Sequence, residues 1–271
     1  MEYTPLHRYF IFNGEIESNK NFRVFEKKGG VYEVLRVVAG VPLFLEDHLE
    51  RFFISASIAQ KSIRFSKVQI SAFLYRLIEQ NKVDEGNILL ACKTNLVAFF
   101  IPHKYPEKQL YETGITCDVL KAERENPNAK VFQTTVRQQA NELIEQRGLY
   151  EVLLVDHQNC ITEGSRSNVF FVKGNCLITP PGNGVLLGIT RQKTIALAKN
   201  EHIPFYEQDI RRDDLPEFQA AFITGTSPNI LPIAQVGDRK FDLQNPIVLQ
   251  LRNSYDKLVL EYISKKKKLP E

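Results

Sequence analysis

Short runs of β-branched and aromatic residues, closed by glycine and asparagine turns, alternate along this chain with stretches whose apolar residues recur every third or fourth position. Tyr9-Phe10-Ile11-Phe12 reads as a strand closed by Asn13-Gly14, a hairpin-type signal. Residues 31–38 (Val-Tyr-Glu-Val-Leu-Arg-Val-Val) are β-branched and bounded by Gly29-Gly30 and Gly40, which predicts a second strand. A short run at 42–45 leads into an amphipathic helix with Asp47 as candidate N-cap and apolar positions 49, 52, 53 and 56. Ser66-Lys67-Val68-Gln69 matches a capping box, and Ile70, Phe73, Leu74, Leu77 and Ile78 supply the apolar face of the helix it opens. Residues 87–94 and 96–101 follow as strands.

From 105 to 128 Pro, Gly, Lys and Glu surround one short strand at 115–120. Arg124-Glu125-Asn126-Pro127-Asn128 is the best boundary signal. The expected organisation is a small domain over 1–121, a linker over 122–127 and a larger domain over 128–271. In the second half Phe132, Val136, Ala140 and Ile144 repeat every fourth residue, with Gly148 as the terminating C′ glycine. Strands are predicted at 150–155, on both sides of Glu163, at 177–179, 219–224 and 230–236, with a hairpin at Lys173-Gly174-Asn175. Helices are predicted after Gly188-Ile189-Thr190 and at Asn245-Pro246, an Asn cap with Pro at the first helical position. The class is mixed α/β (α+β), with no internal repeat.

Composition narrows the function classes. A chain of 271 residues with 43% apolar and 25% charged residues has the balance of a soluble globular protein. A formal charge of +3, part of it in Lys265-Lys266-Lys267-Lys268, is too mild to imply nucleic acid, and no apolar run reaches membrane-span length. The four cysteines lack metal-ligand spacing and lie in or beside apolar runs, so buried thiols, no metal site and a cytoplasmic location are expected.

The candidate chemistry centres on Cys160 to Lys173, where Glu163 stands at a strand end beside the turn Gly164-Ser165-Arg166-Ser167-Asn168. A fixed carboxylate there suits a ligand with a cationic end, although an exposed strand glutamate in a surface pair has the same spacing. Gly188-Ile189-Thr190 opens a helix, whose free N–H groups and dipole suit a phosphate; an ordinary capping threonine looks alike. Gly225-Thr226-Ser227 offers further amide and hydroxyl donors, or a plain turn. Arg51, one helical turn after His48, could supply a fixed positive charge. Spacing alone does not select Lys130 among the lysines.

Resemblance selects it. Residues 162–170 (Thr-Glu-Gly-Ser-Arg-Ser-Asn-Val-Phe) resemble the signature of the fold-type IV pyridoxal-phosphate enzymes, the class-IV aminotransferases, which include branched-chain and D-amino acid aminotransferases and aminodeoxychorismate lyases. Residues 32–36 with His48 to Arg51, residues 187–191, and Thr224-Gly225-Thr226 with Pro232 are similar to three further family blocks, in order, over about residues 8–260. The resemblance implies a small α/β domain and a larger pseudo-barrel domain. It also implies pyridoxal 5′-phosphate held by Lys130 as a Schiff base, with Glu163 on the pyridine nitrogen. Arg51, Ile189, Thr190, Gly225 and Thr226 would hold the phosphate, and Ser167 and Asn168 would frame the cofactor. Tyr32, Arg36 and Lys93 would face the substrate, an amino acid or 2-oxo acid, in a homodimer. Lys93-Thr94-Asn95 stands where many family members carry an Arg-Gly pair, and Arg166 replaces a serine. Aminodeoxychorismate lyase is the alternative activity: the compact length leans toward it, and Val34, where the lyases carry threonine, leans against it.

Overall fold

The computed structural model describes residues 3–25, 27–132 and 135–268. They fall into two units: Met1–Lys104 with Ala129–Gln133 and Val259–Glu271, and Tyr105–Asn128 with Thr134–Leu258. Each has its own sheet.

The first unit holds six antiparallel strands, β1 (Tyr9–Phe12), β2 (Glu15–Ser18), β3 (Val31–Val38), β4 (Val41–Pro42), β5 (Gly86–Cys92) and β6 (Leu96–Ile101), in the order β2-β1-β6-β5-β3-β4. The Asn13-Gly14 turn has positive φ at both residues, +48° and +89°, the conformation for which that dipeptide is suited. Burial alternates along β3, so Val31, Glu33, Leu35 and Val37 face one side and Tyr32, Val34 and Arg36 the other. The first face packs with Leu45, Leu49 and Phe52 of helix α1 (Leu45–Ile58) and Ile70, Leu74 and Leu77 of helix α2 (Lys67–Asn81). Helix α1 begins two residues before Asp47: Phe44, in the left-handed region, is its N-cap and Asp47 lies in the first turn, where its charge meets the positive end of the dipole. The capping box of α2 forms as expected between Ser66 and Gln69.

The second unit is built on a ten-stranded mixed sheet. Its members are β7 (Ile115–Lys121), β8 (Glu151–Val155), β9 (Cys160–Gly164), β10 (Asn168–Lys173), β11 (Cys176–Thr179), β12 (Phe205–Glu207), β13 (Ile210–Arg211), β14 (Ala220–Gly225), β15 (Asn229–Val236) and β16 (Arg239–Lys240). The order is β12-β11-β10-β14-β15-β7-β8-β9-β13, with β16 on β15. β7 pairs in parallel with β8 and β15, which makes it part of this unit although it precedes the expected linker. β10 is buried on both faces, and its Phe170 stacks at 5.0 Å on the cross-strand Phe222 of β14. A four-residue helix α3 (Leu110–Thr113) precedes β7; α4 (Thr135–Arg147) and α5 (Ile189–Asn200) lie between strands, and α6 (Pro246–Lys268) follows them. Gly148, with φ +62°, ends α4 as the C′ residue. Phe132 lies ahead of α4, next to the Val131 bridge, so within the helix the apolar repeat begins at Val136. Asn245 Oδ1 accepts the Ile247 N–H at 3.1 Å and caps α6.

Candidate active site

In the first unit the predicted residues gather at the start of β3. Val31 pairs with Cys92 on one side and bridges to Val131 on the other. Lys130 is thereby laid alongside Tyr32. Its carbonyl accepts the Tyr32 N–H at 3.0 Å and its own N–H donates to the fully buried Ser55 Oγ of α1 at 3.0 Å. The Lys130 ammonium stands 4.8 Å from the centre of the Tyr32 ring, and Phe132 stacks on that ring at 4.3 Å. Lys93 follows Cys92 and adjoins Gly30: a side chain there would stand 3.2 Å from Lys93 Cβ. Arg36 shares the Tyr32 face, two alternations along β3.

On the opposite face of β3 lies a buried ion cluster that sequence spacing did not reveal. Glu33 is fully buried; Arg51 Nε donates to its Oε1 at 2.8 Å and Arg51 Nη2 to its Oε2 at 2.6 Å, while His48 Nδ1 lies 2.8 Å from Oε2. Burial pushes the Glu33 pKa up, but the Arg51 charge and the hydrogen bonds from Arg51 and His48 outweigh it and hold the group at about 2. Burial lowers the His48 pKa, with Glu33 opposing and Arg51 and Lys130 reinforcing the fall. Arg51 is thus a fixed cation, oriented by a fork-to-carboxylate pair.

In the second unit Glu163 is the penultimate residue of β9 and is 2% exposed, which removes the surface-pair alternative. Arg124 Nε lies 3.2 Å from its Oε1, and Asn168 Nδ2 (3.3 Å) and the Leu186 N–H (3.2 Å) donate to its Oε2. Asn168 Nδ2 also donates to the Leu186 carbonyl at 2.8 Å. Arg124 comes from the segment expected to be linker, and Asn128, four residues on, donates to the carbonyls of Gly182 and Val185 at 2.8 and 2.7 Å. These two tether that segment around Glu163.

The phosphate candidates also cluster by element. Gly188 is the N-cap of α5, and the first internal bond runs from the Gln192 N–H to the Gly188 carbonyl. The amides of Ile189, Thr190 and Arg191 therefore open the helix, in the usual anion-binding arrangement. Thr190 is buried, its hydroxyl 3.4 Å from the Tyr255 hydroxyl. Gly188 packs against Asn168: an added Cβ would stand 2.1 Å from Asn168 Oδ1. β14 places Thr224 opposite Asn168 and ends at Gly225, with Thr226 in the turn that follows. Among the described residues the buried Thr224 Oγ1 has no hydrogen-bond partner, as expected of a hydroxyl that a polar ligand satisfies. Ser167, expected to frame a cofactor, donates its hydroxyl to Glu151 at 2.9 Å. No group of three or more metal-ligating side chains occurs among the described residues.

Within the second unit, a buried, oriented carboxylate and a helix opening whose neighbour Asn168 pairs with the orphan Thr224 hydroxyl's strand suit the ring nitrogen and the phosphate of a pyridoxal phosphate. Similarity to known proteins agrees. The family model "Amino-transferase class IV" matches residues 30–236. The chain is 30% identical to a D-alanine aminotransferase of Listeria innocua, covering 86% of this chain and 88% of that one. It is 29% identical to a probable branched-chain-amino-acid aminotransferase of Thermotoga maritima, covering 90% and 92%. The branched-chain amino acid aminotransferase of Thermobaculum terrenum, solved in its PLP form, superposes with a TM-score of 0.83 at 22% identity over 94% of this chain and 95% of that one. The mixed α/β architecture and the matched blocks make this chain a member of the class-IV aminotransferases, a pyridoxal-phosphate-dependent transaminase.

Proposed function

We propose that the chain transfers an amino group between a small amino acid, of the branched-chain or D-amino acid type, and a 2-oxo acid, with Lys130 as the lysine that holds the cofactor. The single observation that carries this is the burial of Glu163, a carboxylate held in orientation by Arg124, Asn168 and the Leu186 N–H, as a partner for a cationic ring nitrogen calls for. Pyridoxal phosphate, when bound, supplies an electron sink for the charge left on the substrate's α-carbon as its proton departs.

The remaining work belongs to the chain. Glu163, oriented by Arg124, would keep a ring nitrogen protonated by charge proximity. Arg51, the Ile189 and Thr190 amides, the Thr190 hydroxyl, and the Gly225 and Thr226 groups hold the phosphate; Asn168 fixes Glu163 and lines the same surface. The Lys130 amine would act as the base that takes up the substrate's α-proton and as the acid that gives it back. Tyr32, backed by Phe132, walls that amine, and Lys93 and Arg36 offer positive charge for a substrate carboxylate. The relatives reported above are aminotransferases, which supports transfer over elimination by an aminodeoxychorismate lyase. We further propose a cytoplasmic homodimer; among the described residues no helix is long and apolar enough to cross a membrane.

The test is a panel of D- and L-amino acids, offered with 2-oxoglutarate or pyruvate, with detection of the oxo acid formed. A D-amino acid or branched-chain L-amino acid should give turnover. Pyruvate released from aminodeoxychorismate, with no oxo acid from the panel, would overturn the proposal.

A further inference from the structure

Glu151, the first residue of β8, has no part in the reading above, yet it is 3% exposed and its carboxylate is fully engaged. Each oxygen takes one backbone amide and one hydroxyl. Oε1 accepts from the Val152 N–H (3.0 Å) and Ser165 Oγ (2.6 Å), and Oε2 from the Arg166 N–H (3.2 Å) and Ser167 Oγ (2.9 Å). Three of these donors lie in the turn that joins Glu163 to Asn168. Gly164 lets the turn close, since a Cβ there would stand 2.1 Å from Ser167 Oγ and 3.1 Å from Glu151 Oε2. The Gly164 N–H also donates to the Ser167 carbonyl at 2.8 Å, and Arg124 joins the Ser165 carbonyl (3.1 Å) to Glu163 Oε1 (3.2 Å).

We propose that Glu151 is a positioning residue: by gathering the Ser165–Ser167 turn it sets where Glu163 and Asn168 meet, and so how Glu163 faces the cofactor's ring nitrogen. This rests on the assignment of Glu163 to that nitrogen. The site calls for an acceptor-only group. A glutamine can turn its oxygen toward only one of the two backbone amides, so either the Val152 or the Arg166 N–H is left facing an NH2 group, while the serine hydroxyls can rotate. The carboxylate is needed for its four acceptor positions.

The test uses the full-length enzyme with Glu151→Gln, Glu151→Asp, the double variant Ser165→Ala/Ser167→Ala, and Glu163→Gln as reference. Three quantities are measured: the pyridoxal phosphate dissociation constant, the pH midpoint of the bound cofactor's visible absorbance, and the thermal midpoint of the cofactor-free protein. Glu151→Gln should weaken cofactor binding roughly tenfold or more and move the absorbance midpoint in the same direction as Glu163→Gln. The serine double variant should show the same sign, and Glu151→Asp an intermediate shift. A lowered thermal midpoint with wild-type absorbance midpoint and affinity would make Glu151 merely structural and overturn the proposal. If Glu151→Gln does not fold, the serine variant is decisive, and wild-type absorbance there overturns it equally. A silent Glu163→Gln would instead defeat the underlying assignment, an outcome distinct from failure at Glu151 alone.

Discussion

Replacing Glu33 with glutamine keeps its size and removes the carboxylate that pairs with Arg51 and His48. The cost follows from the structure in two ways. A carboxyl whose pKa falls from 4.5 to about 2 on folding contributes about 3 kcal/mol at neutral pH. Breaking a buried ion pair from one side, with Arg51 7% exposed, costs about 3–5 kcal/mol. The two agree at about 3 kcal/mol, which lowers the melting midpoint of a domain this size by roughly 6–12 °C. The assay is calorimetric or circular-dichroism melting of cofactor-free wild type and Glu33→Gln from pH 3 to 8. Glu33 has a depressed pKa, so its contribution is complete above pH 4.5 and is lost as pH falls from there toward 2. The gap between the two proteins should therefore be constant from pH 6 to 8 and shrink below pH 4.5. His48, buried with a lowered pKa that Glu33 opposes, would add a loss deeper in Glu33→Gln as pH falls below 6.5, so the pH series is run with His48→Gln in both proteins. A gap under about 1 kcal/mol at pH 7, or one unchanged down to pH 3, would refute the reasoning. Glu33→Leu with Arg51→Met should recover most of the stability, because a well-packed apolar pair replaces a buried ionic one at little net cost.

Thr190→Val should raise the pyridoxal phosphate dissociation constant about tenfold and leave kcat at saturating cofactor unchanged, since the phosphate is held alike throughout the reaction; an unchanged dissociation constant by fluorescence titration would count against Thr190 as a phosphate ligand. Gly188→Ala places a methyl group 2.1 Å from Asn168 Oδ1. It should expel that side chain from Glu163 and weaken cofactor binding by about tenfold or more, and wild-type affinity would show that Asn168 does not matter there. Ser55→Ala leaves the Lys130 N–H without its acceptor. It should cost about 1–3 kcal/mol in urea unfolding and slow turnover, and a variant with wild-type stability would deny the bond its role.

Local chemistry made much of this fold readable. The Asn13-Gly14 hairpin, the Ser66 capping box, the Gly148 terminator and the Asn245 cap each act within a few residues, and each appears where its residue types demand it. Asp47 reads as a cap because an aspartate in the first helical turn has the same signature as one at the cap. Phe132 reads as helical because its every-fourth-residue spacing with α4 carries no sign of its stack on Tyr32. The site was legible only as far as single positions go. Glu163, Thr190 and Asn168 lie in short motifs, but Arg124 and Glu151 hold the Glu163 turn from 39 and 12 residues before Glu163 in the chain. The Glu33 partner of Arg51 lies 18 residues before it, on a different element. Such pairings depend on how strands and helices meet, and no local pattern encodes them. The pairing of β7 with β8 and β15 was hidden for the same reason: a parallel partner leaves no turn between the strands to read.

The central claim is that Lys130 holds the cofactor, and borohydride reduction of the purified, pyridoxal-phosphate-loaded enzyme tests it most directly. Reduction makes the link to the lysine permanent, so proteolysis and mass spectrometry can locate it. The account predicts a phosphopyridoxyl mass on the peptide containing Lys130, and its loss, together with turnover, in Lys130→Ala. The label on another lysine of the wild-type enzyme, or a reducible cofactor bond that persists in Lys130→Ala, would contradict it.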